Sequence, residues 1–118
     1  MDCEEKQIDN ILIIKLPGSR FDAHISDDFK STMHRHIENG HRRIVLDFSE
    51  INFIDSSGLG TIVHVLKMLK GDGDIVISGA TDTVMRMFKL TRMNKIFNMV
   101  ENESLALSLL KKEPSREE

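Results

Sequence analysis

Apolar residues in this chain fall into two patterns: short unbroken blocks, and longer stretches in which they recur every three or four positions. Residues Ile8 to Leu16 form a block dense in Ile and Leu that stops at Pro17-Gly18, so one or two short strands are predicted there. Arg43 to Phe48 is a second block, and its run of apolar neighbours suits a strand covered on both faces. Ile51 to Ile54 prolongs the apolar stretch, Ile75 to Ser78 reads as another buried strand, and Ile96 to Val100 as a short edge strand. Between the blocks the period changes to helical. Ile25, Phe29, Met33, His36 and Ile37 share one face of a helix that Ser26 or Asp27 would cap and Asn39-Gly40 would end. Leu59, Ile62, Val63, Leu66 and Leu69 mark a second helix, ending near the turn Gly71 to Asp74. A third follows Thr81 or Asp82 and carries Val84, Met85, Met87 and Phe88, and a last one covers Leu105 to Leu110 before a polar tail from Lys111.

Strands alternating with helices imply right-handed crossovers and an α/β fold. The expected architecture is a mostly parallel or mixed sheet of four to five strands covered mainly by about four helices. A single domain over residues 1–112 is expected, with residues 113–118 as a polar, flexible tail. Composition then removes whole classes of function. Charged residues are 30% of the chain and the formal net charge is −3, which supplies no basic face for nucleic acid. Cys3 is the sole cysteine, so an intrachain disulfide and a cysteine-built metal site are excluded. The start Met1-Asp2-Cys3-Glu4-Glu5-Lys6 is acidic and polar, unlike a signal peptide, and the run Ile11 to Ile14 falls far short of the roughly 20 residues of a membrane span. A cytoplasmic protein without membrane contact is expected.

One segment carries candidate chemistry. Asp55-Ser56-Ser57-Gly58-Leu59-Gly60 lies where a strand ends and a helix begins, the point at which functional residues gather in open parallel sheets. Two hydroxyls there sit against a helix amino terminus, whose free N–H groups and dipole favour an anion. Glycines on the helix side allow close backbone approach. The plainer use of Ser56 or Ser57 is to cap the helix. A serine nucleophile elbow is excluded because Ile54 or Asp55 stands where its first glycine should be, and His64 lies down the helix, badly placed to act as a base. Gly58 and Gly60 are not followed by the third glycine of a dinucleotide site, and no P-loop lysine is present. His34 and His36, two apart on a helix, do not share a face and read as a solvated surface. The methionines, Met85, Met87 and Met93 among them, read as core filler and rim. No catalytic residue, metal site or cofactor is expected.

The runs Ile44-Val45-Leu46-Asp47-Phe48-Ser49 and Phe53-Ile54-Asp55-Ser56-Ser57-Gly58-Leu59-Gly60 resemble the signature of STAS domains, and in particular the anti-sigma factor antagonists of bacterial partner-switching systems. Pro17-Gly18 to Phe21-Asp22 is similar to the family's Gly-x-Leu-Asp loop, with Phe21 where leucine is usual, and Val84, Phe88 and Leu90 match its third-helix pattern. Thr91-Arg92-Met93-Asn94 departs from it where relatives often carry Gly, and Asn94 is expected to take the left-handed conformation. The resemblance implies a non-enzymatic switch. Unmodified, it binds an anti-sigma factor serine kinase and frees a sigma factor; the kinase phosphorylates Ser56, with Ser57 the weaker candidate, and a metal-dependent serine phosphatase reverses the step. The implied partner-binding residues are Asp22, Asp55, Ser56, Ser57, Gly58, Leu59 and Gly60. The alternative keeps the fold and changes the output to a signalling scaffold or a small-ligand sensor.

Overall fold

The computed structural model describes residues 3–111. The chain enters through a hairpin of β1 (Glu4–Ile8) and β2 (Ile11–Lys15), joined by Asp9 and Asn10, with Asp9 at a φ of 55°. β1 reaches further upstream than the apolar block predicted. Its residues Glu4, Glu5 and Lys6 are exposed, so hydrogen bonding to β2 holds it rather than burial. As an outer strand it carries charge, which discourages pairing with another chain.

The main sheet continues with β4 (Arg43–Asp47), β6 (Asp74–Ser78) and β7 (Asn98–Val100), in the order β1-β2-β4-β6-β7. All neighbours are parallel except β1 and β2. The unbroken apolar runs have the cause expected of them. Leu12, Ile14, Ile44, Leu46, Ile75 and Ile77 face one core, with Phe29, Met33, Leu59, Ile62, Val65, Val84 and Phe88 from three helices. Ile11, Ile13, Val45 and Val76 face the other, against Ala106 and Leu110. Alternate residues of each strand therefore meet helices on opposite faces, and the buried strand side chains on both faces are apolar apart from Ser78 at the end of β6.

Those helices are α1 (Ala23–Glu38), α2 (Ser56–Met68) and α3 (Asp82–Leu90) on one face and α4 (Glu103–Lys111) on the other. α1 begins earlier than its periodicity suggested: Asp22, not Ser26 or Asp27, is the N-cap, and Ser26 is instead buried with its hydroxyl donating to the Asp22 carbonyl at 2.8 Å. At its far end Asn39 is the C-cap and Gly40 has a φ of +102°. Of the two candidates for α3, Thr81 is the cap. After α3 the left-handed residue is Arg92, at a φ of 63°, and not Asn94, which lies within a single 3-10 turn, Met93–Lys95. α4 carries Lys111, which pairs with Asp9 at 3.4 Å, so the helix includes the residue at which the polar tail was expected to start. The expected tail itself, residues 113–118, lies outside the described residues. His36 is not on a solvated surface: its side chain is 14% exposed and its Nε2 lies 2.9 Å from Glu5 Oε2, tying α1 to β1. Among the described residues no helix is long and apolar enough to cross a membrane.

A second, two-stranded sheet was not anticipated. β3 (Arg20–Phe21) and β5 (Phe53–Ile54) run parallel, with Arg20 opposite Phe53 and Phe21 opposite Ile54. Each leads into a helix within two residues, and this small ladder positions the site.

Candidate functional site

β3 and β5 end side by side, and each strand passes through an aspartate into a helix. Asp22 follows Phe21 and caps α1; its Oδ1 accepts the N–H of His24 at 3.1 Å. Asp55 follows Ile54 and caps α2; its Oδ1 accepts the N–H of Gly58 at 2.9 Å. The Asp55 N–H donates to the Phe21 carbonyl at 3.4 Å, so the ladder register carries on to these two residues. Two helix amino termini thus open at one edge of the fold, each with its own carboxylate. The helix-capping role that either serine could have filled belongs to Asp55, which leaves both hydroxyls for other use.

Ser56 and Ser57 are the first two residues of α2, and both are exposed. Their N–H groups belong to the unpaired first turn of a helix. Neither hydroxyl makes a hydrogen bond among the described residues, whereas the Ser57 carbonyl accepts the Thr61 hydroxyl at 2.8 Å. An anion attached to Ser56 would therefore stand at a positive helix end without displacing an existing bond.

Two residues expected at the contact surface lie beneath it. Gly58 is buried, and Leu59 is 5% exposed with its side chain in the main core. The reason is helical geometry: with Asp55 at the cap, positions 58 and 59 turn inward over Phe21 and Ile54. Asp22, Asp55, Ser56, Ser57 and Gly60 reach the surface in varying degree.

Phe21 is the floor of the site. It is fully buried, meets Phe29 edge-on at a centroid distance of 5.0 Å, and stacks with Phe48 at 6.0 Å. Phe48 meets Phe88 at 6.3 Å, and Phe88 meets Phe97 at 6.2 Å. Such pairs are each worth about 0.5–1.5 kcal/mol beyond area burial, so the strand ends rest on a stiff aromatic row. The outer face of the ladder holds a feature that sequence reading missed. Arg20 Nε lies 3.3 Å from Asp22 Oδ2, and its guanidinium sits 4.1 Å from the centre of the Phe53 ring. Only the register of β3 on β5 brings these residues together; the Arg20 to Asp22 spacing was the one trace in the sequence.

The STAS domain family model matches residues 3–106. The chain belongs to the STAS domain family. It is 33% identical over 103 residues to the anti-sigma F factor antagonist of Paenibacillus polymyxa, covering 85% of this chain and 86% of the relative. With the anti-sigma-B factor antagonist of Staphylococcus aureus it shares 26% over 85 residues, covering 71% of this chain and 79% of that one. An anti-sigma factor antagonist from Mycobacterium paratuberculosis has the same fold, with a TM-score of 0.85 at 15% identity over 94% of each chain. So does the phosphorylated form of the Bacillus cell-fate determinant SpoIIAA, with a TM-score of 0.70 at 19% identity over 92% of this chain and 98% of that one.

Proposed function

We propose that this protein is a phosphorylation-controlled partner switch of the anti-sigma factor antagonist type, acting in the cytoplasm without catalysis of its own. Unmodified, it binds an anti-sigma factor of the serine kinase kind and releases the sigma factor held there. The kinase transfers phosphate to Ser56, which ends binding, and a metal-dependent serine phosphatase restores the hydroxyl. The observation that carries the reading is the free, exposed Ser56 hydroxyl on the first residue of α2, with Asp55 rather than a serine as the cap.

The mechanism is charge at a surface. Asp22, Asp55, Ser56, Ser57 and Gly60 form the contact face, and Gly58 and Leu59 set the angle of α2 from below. A phosphate brings about −1.5 to −2 charges. It would do so beside two carboxylates already committed to caps. A partner fitted to a neutral hydroxyl then meets a bulky anion that it has no group to receive. A cost of ~3 kcal/mol would weaken binding by roughly two orders of magnitude, at ~1.4 kcal/mol per tenfold.

Mass spectrometry tests the assignment directly. Protein isolated from cells, or treated with ATP and a cognate kinase, should carry one phosphate, located to Ser56 at the peptide level. Modification confined to Ser57, or none at either serine, overturns it. Calorimetric titration with the same kinase should show tight binding for Ser56→Ala and weakened binding for the phosphoprotein.

A further inference from the structure

Arg20 is the only basic residue of the β3–β5 ladder, and nothing in the proposed switch yet uses it. We infer that Arg20 is the built-in counter-ion of that switch: it rests on Asp22 while Ser56 is a hydroxyl and transfers to the phosphate once Ser56 is modified, uncovering Phe53. The inference rests on the phosphoserine reading above and adds a named group that answers the new charge.

The resting contacts are suited to exchange. The Arg20 side chain is 61% exposed and meets Asp22 through Nε alone. Neither Nη makes a hydrogen bond among the described residues. Asp22 is 16% exposed, but a single-point contact made by so exposed a guanidinium is weakly held. Asp22 does not depend on it, because Oδ1 is bonded to the His24 N–H and Oδ2 alone faces Arg20. Arg20 can therefore leave without uncapping α1.

The destination is close. Arg20 reaches forward along its strand to Asp22, and the register sets Asp22 beside Asp55, with Ser56 next. One strand spacing is about 5 Å and one extended residue about 3.3 Å. A phosphate on Ser56 thus falls within about a Debye length of the guanidinium, where salt screens it incompletely. A dianionic phosphate offers paired oxygens to a planar fork, a better match than one oxygen of a carboxylate already shared with a cap. Phe53 is 36% exposed even with the guanidinium above its ring. Departure of Arg20 would bare more of that ring, so modification would change the apolar outline of the contact face along with its charge.

The test uses the full chain with phosphoserine installed at position 56 during translation, which needs no cognate kinase. Phosphorus NMR across pH follows the second ionisation of the phosphate. An adjacent cation favours the dianion, so this ionisation should lie about 0.5 unit lower with Arg20 present than in Arg20→Gln. Arg20→Lys should fall between them, since an ammonium keeps the charge and loses the fork. Lys67→Gln removes an equal charge near the far end of α2, about 16 Å along the helix, and should titrate like the parent. If Arg20→Gln titrates with the parent, or if Lys67→Gln shifts as much as Arg20→Gln, the inference is wrong. Its failure is distinct from that of the phosphosite: absence of phosphate on Ser56 in cells would remove the switch whatever this titration returned.

Discussion

Gly58 lies directly beneath the main chain of Phe21: a Cβ at position 58 would stand 2.5 Å from the Phe21 carbonyl oxygen and 2.9 Å from the Phe21 ring. The close approach lets α2 start hard against the end of β3 and keeps the two helix amino termini together. Gly60, two positions on, has open space where its Cβ would be. Gly58→Ala must push backbone apart and should cost about 1–3 kcal/mol. Gly60→Ala should be neutral or stabilising by up to about 1 kcal/mol, through helix propensity. Chemical denaturation of the two variants checks the contrast, and equal losses would show that the packing of α2 on β3 is not as described.

The caps give a second prediction. Asp55→Ala should lose about 1 kcal/mol, the usual worth of a capping side chain, whereas Asp55→Asn keeps an acceptor for the Gly58 N–H and should lose less. Thermal melts of the pair against the parent measure it. A full loss in Asp55→Asn would mean that the charge rather than the hydrogen bond matters.

Changes at Ser56 should leave the fold almost untouched. Its side chain is exposed and its hydroxyl unbonded, so Ser56→Ala should melt within about 0.5 kcal/mol of the parent. Ser56→Asp places an anion in the first turn of α2 and should match or slightly exceed it, by about 0.3–1 kcal/mol. The phosphoprotein should follow the same pattern. A collapsed melting transition on phosphorylation would make unfolding, not surface charge, the means of switching.

One pH effect follows from Lys15. The Glu50 carboxylate at 3.2 Å hydrogen-bonds and attracts its ammonium, holding the Lys15 pKa above the ordinary lysine value. A pKa raised by folding contributes stability that is complete below the unfolded value of about 10.4 and is lost as pH rises through the folded value. Lys15→Gln should therefore melt slightly below the parent by a constant margin from about pH 7 to pH 9, and the margin should close at higher pH. Paired melts from about pH 7 to about pH 11 decide it.

The succession of strands and helices along the chain is legible in its apolar pattern. The block at Ile44 to Leu46 reads as a doubly covered strand and that at Ile75 to Ile77 as a buried one, because helices on both faces hide so many adjacent apolar side chains. Ile11 to Ile14, read only as a strand, proves to be covered in the same way. The run from Asp55 to Gly60 likewise announced a strand end facing a helix start. β1 stayed hidden because Glu4, Glu5 and Lys6 gain their place from main-chain pairing with β2, to which side-chain polarity is blind. Which residue caps which helix depends on how distant segments pair. Ser26 and Asp27 fit a cap pattern as well as Asp22 does, but the pairing of Arg20 and Phe21 with Phe53 and Ile54 ends β3 at Phe21 and makes Asp22 the first residue free to turn. That same two-residue ladder sets Asp22 beside Asp55 and lays Arg20 over Phe53. Contacts between segments more than thirty positions apart depend on register, and register is settled by what the whole core packs against rather than by any local run of residues.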